Sequence, residues 1–302
     1  MNKLKYSKVF EVLVKETKDY LLNNNLKAMV LGISGGIDST VTAAICHEVS
    51  KQTGIPLIGR SLPIKNKDDE FDTSKLVGEA FCDNFEVTNL YEVFNKFLTL
   101  VDGDNLTSLK RTPISDGNIQ ARLRMIYLYN LASIYNGLVM STDNQTEYQL
   151  GFWTIHGDVG DFDPLQDLWK TEVYELARYI FDMYDSEARK IGAYLSPNAP
   201  YFVRKLDALK HSINLTPTDG LGISNSDLDQ IGAKSYADVD NILQTLIPVS
   251  ECGNPNAFML YSVELSDKYG EDVVKKVWER HIASEFKRKK APIYVERSKY
   301  EN

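Results

Sequence analysis

The chain has 302 residues, 43% hydrophobic and 25% charged, with a formal net charge of −8. This is an ordinary soluble, globular composition. Its acidity argues against nucleic acid as the main partner, because phosphate-backbone binding needs a basic surface, although a local positive cluster can still hold a nucleotide.

Tyr20, Leu21 and the apolar residues before them recur at helical spacing over Lys5 to Asn24. Ala28, Met29, Val30 and Leu31 form a short, wholly apolar run, as a buried parallel strand does. Glycines and Asp38 follow, then a helix through Thr42, Ala43, Ala44 and Ile45. Pro56 to Leu62 reads as a second strand, Lys65 to Glu70 as a charged loop before another helix, and Phe85, Val87 and Leu90 as a third strand. A long helix is expected over Asp116 to Asn136, ended by Gly137, and a fourth strand at Leu138, Val139 and Met140. This alternation predicts an α/β fold, a Rossmann-like doubly wound parallel sheet covered on both faces.

Gly151 to Pro164 is rich in Gly and Asp and reads as a mobile surface loop. Lys170 to Met183 is helical, and Asp185 to Thr218, with Pro197, Pro200 and Pro217, reads as helices joined by loops. The rest is mostly helical and ends in the basic run Lys287 to Lys290. There is no internal repeat or composition break, so residues 1–302 are expected to form a single domain with a helical C-terminal extension. Cys46, Cys82 and Cys252 make no CxxC pair and read as reduced thiols. The charged N-terminus lacks a signal-peptide core, and no apolar run is long enough for a membrane span. A cytoplasmic location is expected.

The sharpest motif is Gly32-Ile33-Ser34-Gly35-Gly36-Ile37-Asp38-Ser39, entered by a strand and left by a helix. Gly35 and Gly36 open backbone angles closed to other residues and let phosphate oxygens approach. Amides at the helix start supply partial positive charge. Asp38 would repel a bare phosphate, which points to a bridging Mg²⁺. The duller reading is a glycine turn with Asp38 as a helix cap. The motif is neither Walker A nor GxGxxG.

This segment resembles the phosphate loop of the N-type ATP pyrophosphatases. Three further segments resemble the NAD synthetase branch of that group. They are Asn118-Ile119-Gln120-Ala121-Arg122-Leu123-Arg124-Met125, the run Ser141 to Glu147 followed by Gly151-Phe152, and Gly157 to Leu165 with Lys170 beyond. The resemblance implies that Gly32, Ile33, Ser34, Gly35, Gly36, Ile37, Asp38 and Ser39 hold ATP, with Arg60, Thr142, Lys170 and Thr218 as further ATP contacts. Asp38 and Glu147 would carry Mg²⁺. Arg122, Asp161, Phe286 and Lys287 would bind the dinucleotide substrate, and Asp158 and Lys170 would act in catalysis. Ile155 stands where the family has a lysine, Phe286 where it has a histidine, and the second loop is one residue short. Taken singly, Arg122 reads as a solvated charge, Lys170 as support for nearby carboxylates, and Lys287 to Lys290 as a helix end.

The implied reaction is ATP-dependent amidation of deamido-NAD to NAD by ammonia, through an adenylate, in a homodimer with the long helix near its interface. The family's glutamine-using members carry an extra nitrilase-like domain, for which this chain has no room. Free ammonia, or ammonia from a separate protein, is therefore expected as donor. Two rivals stand beside this: another amide-forming ligase of the group, similar to GMP synthetase, and a nucleotide-binding module that has lost catalysis.

Overall fold

A computed structural model describes residues 4–64, 68–103, 111–192, 199–215 and 227–289. Thr218, Lys65 to Lys67, Pro197, Pro217 and Lys290 lie outside these. In chain order the elements are α1 (Tyr6–Asn23), β1 (Met29–Gly32), α2 (Ile37–Thr53), β2 (Leu57–Ser61), α3 (Asp68–Phe81), β3 (Asn84–Val87), α4 (Tyr91–Gly103), α5 (Pro113–Tyr135) and β4 (Leu138–Met140). Then come α6 (Gln145–Leu150), α7 (Lys170–Lys190), α8 (Ala199–Asn214), α9 (Asp227–Ile231), α10 (Tyr236–Glu251), α11 (Pro255–Tyr269), α12 (Glu271–Ala283) and α13 (Glu285–Arg288).

The strands form one parallel sheet in the order β3-β2-β1-β4. Its two faces follow the period-two alternation of a strand. Met29, Leu31, Leu138 and Met140 point into the main core with α1, α2, α7 and α8. Ala28, Val30 and Val139 point the other way, onto Ala132 of α5. A separate apolar cluster joins α10, α11 and α12 to Leu150 of α6. No helix among the described residues is long and apolar enough to cross a membrane.

Two expectations change. The third strand ends at Val87, and Leu90 instead packs with Phe94 and Leu98 beneath α5. As the sheet's edge, β3 keeps Asn84, Glu86 and Val87 exposed, while helices flank both faces of the sheet as expected. The long helix is ended by Asn136, which takes the left-handed conformation (φ 48°). Gly137 is needed for contact instead: a Cβ there would lie 2.5 Å from Ala28 O.

The loop over Gly151 to Pro164 is irregular but tied down. Asp161 N donates to Val139 O at 2.7 Å, and Ser141 N donates to Phe162 O at 2.9 Å, extending the β4 edge. Thr154, Gly157 and Pro164 are buried. Asp158, Asp161 and Asp163 each accept a backbone N–H, from Thr154, Val139 and Leu165, which composition cannot reveal.

Candidate active site

The phosphate loop leaves β1 at its C-terminal end, where ligands gather in open parallel sheets. Gly35 has φ +87°, and a Cβ there would lie 2.7 Å from Ser74 N and 2.8 Å from Thr73 Cγ2. Only glycine fits that turn. Gly36 caps α2 without any side-chain cap bond, and the first amides of any helix lack an intrahelical acceptor, which suits a helix start to anions. Ser39 Oγ receives Gly35 N at 3.2 Å and Ser34 Oγ at 3.0 Å. Asp38 lies inside the first turn of α2 and is not its cap.

Three charged side chains from three elements meet beside this loop. Lys170, the first residue of α7, donates from Nζ to Asp38 Oδ2 at 2.6 Å and to Glu147 Oε1 at 2.7 Å. The Lys170 side chain is 3% exposed and those of Asp38 and Glu147 15% and 16%. Burial alone would release the Lys170 proton, but the Asp38 and Glu147 charges prevail and hold its pKa well above the usual lysine value. Asn144 links loop and cluster: Nδ2 donates to Asp38 Oδ1 at 2.8 Å, and Oδ1 caps α6 by accepting from Glu147 N at 3.1 Å. Behind them, buried Asp240 accepts from Thr146 Oγ1 at 2.5 Å and Thr171 Oγ1 at 2.8 Å, fastening α10 to α6 and α7.

The other expected residues divide. Thr142 is half-buried just beyond β4. Asp158 sits on the loop, exposed, with Oδ1 accepting from Thr154 N at 2.6 Å. Crowding by surrounding protein pushes its carboxyl up, against the Thr154 bond and the Lys287 and Arg124 charges. Lys287 reaches the same loop, where Nζ donates to Gly151 O at 2.6 Å and to Trp153 O. Neighbouring Phe286 points outward, 53% exposed. Arg122 donates to Ile155 O at 3.2 Å. Arg60 is engaged at the sheet edge, donating to Gly59 O and Asn84 Oδ1, both at 2.7 Å, and facing Glu86. Asp161, exposed, accepts from Tyr129 OH at 3.0 Å and Val139 N at 2.9 Å, one bond on each oxygen, which ties the loop to α5 and β4.

Asn144, Asp143, Asp163 and Asp240 were not singled out by the sequence reading. Asn144 three residues before Glu147 is a capping pattern that could have shown it. Burial, then Asp158, Asp163 and Glu147, push the Asp143 carboxyl well up.

Among the described residues no three His, Cys, Asp or Glu side chains form a metal cage. The pair Asp38 and Glu147 still fits Mg²⁺, which is commonly held by one or two carboxylates, substrate phosphates and water.

Residues 9–291 match the family model described as NAD synthase. The chain is 32% identical over 228 residues to an NH(3)-dependent NAD(+) synthetase from Thermoplasma volcanium, covering 74% of this chain and 78% of that one. An NMN synthetase structure from Francisella tularensis shares the fold, with TM-score 0.71 and 24% identity over 97% of this chain and 99% of that chain. An NH3-dependent NAD synthetase structure from Campylobacter jejuni does so with TM-score 0.66 and 22% identity, over 97% and 100%. The chain belongs to the NAD synthase family.

Proposed function

We propose that this protein is an amide-forming ligase that converts deamido-NAD to NAD with ATP and ammonia. The observation that carries the reading is the buried Lys170 ammonium bridging Asp38 and Glu147 beside a phosphate loop. A carboxylate is a poor electrophile. Attack of its oxygen on the α-phosphorus of ATP expels pyrophosphate and leaves a mixed anhydride. Ammonia then adds at the acyl carbon, AMP leaves, and the nitrogen gives up its proton.

The first amides of α2 bind the phosphate oxygens, and Lys170 lies where charge develops on the leaving pyrophosphate. Such preorganised charge is usually the largest part of catalysis. Mg²⁺ at Asp38 and Glu147 would add charge neutralisation there. Asp158, on the loop that shields the anhydride from water, attracts ammonium and takes up its proton. Lys287 and Arg122 hold that loop from two sides and border the dinucleotide subsite.

Residues 1–302 act as one domain in this reading, because α10 joins the site through Asp240. Two copies associate through α5, whose Ile126, Ile134 and Tyr135 are exposed; Tyr127 and Tyr129 instead bond within the chain, to Thr88 and Asp161. We place the reaction in the cytoplasm.

The test is AMP and amide formation with ATP, Mg²⁺ and ammonium, offering deamido-NAD, nicotinate mononucleotide or XMP, on protein whose mass is read by light scattering. AMP release that requires both deamido-NAD and ammonium is expected, from a dimer. Turnover with XMP alone assigns another ligase of the group, and no turnover assigns a binding module. A fully active monomer removes the dimer.

A further inference from the structure

The stretch from Tyr184 to Leu215 carries none of the motifs above, yet its helix α8 reaches the phosphate loop. Ser212 is 1% exposed, and its Oγ donates to Gly35 O at 3.0 Å. The same oxygen lies 2.7 Å from Thr40 Oγ1. With Ser212 donating to Gly35, the Thr40 hydroxyl donates to Ser212; its Oγ1 also lies 2.9 Å from Gly36 O, to which the Thr40 backbone N–H donates at 3.0 Å. Next to Ser212, His211 Nε2 lies 2.9 Å from Thr73 Oγ1, and Thr73 belongs to the wall against which Gly35 is pressed.

A trans peptide is planar, with its C=O and N–H on opposite sides. The carbonyl of Gly35 and the N–H of Gly36 belong to one such unit. Fixing the carbonyl toward α8 fixes the N–H toward the opposite side, where it now meets the exposed Ser34 hydroxyl at 3.3 Å. A phosphate oxygen can take the place of so long a bond. The next unit is held as well: the Thr40 N–H takes the Gly36 carbonyl, which fixes the Ile37 N–H of that unit on the opposite side. Neither glycine has a Cβ to resist rotation of the Gly35–Gly36 unit. A turned unit would aim a carbonyl at the phosphates and repel them.

We propose that Ser212 is a positioning residue for ATP: from α8 it holds the Gly35–Gly36 peptide with its N–H toward the phosphates. This rests on the reading of that loop as the ATP site. Its action is specific to phosphate, because among the described residues the hydroxyl hydrogen-bonds only with Gly35 and Thr40, on the protein side of the loop.

The test is calorimetric titration of MgATP and of magnesium pyrophosphate into the full chain, wild type against Ser212→Ala. Loss of one net hydrogen bond predicts about threefold to tenfold weaker binding of both ligands. Deamido-NAD affinity and kcat at saturating ATP should stay within about twofold, since the hydroxyl bonds to the phosphate loop and not to the loop assigned to the acyl carbon. A helix-packing role alone would lower the melting temperature and leave MgATP affinity unchanged. That result, or equal loss for ATP and deamido-NAD, overturns the proposal. Should Ser212→Ala not fold, the isosteric Thr40→Val reads the same support from its other side: weaker MgATP binding upholds it and unchanged binding overturns it. Wild type that binds MgATP but forms no amide removes the functional reading and leaves the Ser212 assignment standing. Amide formation by wild type with full MgATP affinity in Ser212→Ala does the reverse.

Discussion

The phosphate loop and the lysine–carboxylate cluster meet at Asp38 but are built in opposite ways. The loop is one contiguous segment whose shape comes from its own glycines and hydroxyls, with α8 behind it. The cluster is assembled from α2, α6 and α7, and the Lys170–Asp38 bond joins residues 132 apart. A contiguous device depends on backbone conformation and tolerates change around it. An assembled one depends on charge balance among distant elements, so losing one member leaves the others facing each other. The two should therefore fail differently.

Lys170→Ala is the largest break. It removes the charge aimed at the leaving pyrophosphate, and losing one such group costs about 10²–10³ in rate. It also leaves Asp38 and Glu147 opposed without the ammonium between them. Removing one partner of a buried ion pair costs about 3–5 kcal/mol, and the partial exposure of both carboxylates places this site below that range. Rapid-quench measurement should show slow adenylylation together with a lowered melting temperature. Adenylate formed at the wild-type rate would remove Lys170 from catalysis.

The loop should fail through its backbone, and its two glycines separate the causes. Gly35→Ala places a side chain at φ +87° and against Ser74 N. Holding a residue in such a conformation costs about 1–3 kcal/mol before any clash is counted. At Gly36 the φ is −66°, and among the described residues a Cβ would meet only Ser34 Oγ, at 3.5 Å. Ligand-free melting should therefore show a clear loss for Gly35→Ala and little for Gly36→Ala. Equal melting temperatures would mean that the loop does not need the Gly35 turn.

The same contrast explains what could be read from the chain alone. The order of strands and helices was legible because alternation and helical period are local. Ser34, Gly35, Gly36 and Asp38 were legible because strand, glycines and helix start lie side by side. The joining of Asp38, Glu147 and Lys170 came only through family resemblance, since no spacing rule places residues 132 apart in contact. Asn144, Asp240 and Ser212 left still less trace, because each looks like an ordinary polar residue on or before a helix. Arg60 came from resemblance alone as well, and its local contacts with Gly59, Asn84 and Glu86 could not be read from the chain.

The smallest expected effect lies at the margin between the two regions, in Asp163. Its Oδ1 accepts from Leu165 N at 2.9 Å, while Oδ2 is buried with no hydrogen-bond partner among the described residues. Burial pushes the carboxyl up to about 7, helped by the Asp38 charge and opposed by the bond from Leu165 N–H. In the unfolded chain an aspartate titrates near about 4. Between those values the folded protein keeps a proton that the unfolded chain has released. Asp163 thus contributes stability that is full below about pH 4 and is lost as pH rises through about 7. Asp163→Asn keeps an oxygen for Leu165 N–H and removes the titration. Without Mg²⁺, the variant's melting temperature relative to wild type should rise by a few degrees between pH 5 and pH 8. Parallel profiles for the two proteins would show that Asp163 is already ionised at pH 5, held by the hydrogen bonds around it more than it is destabilised by Asp38 and burial.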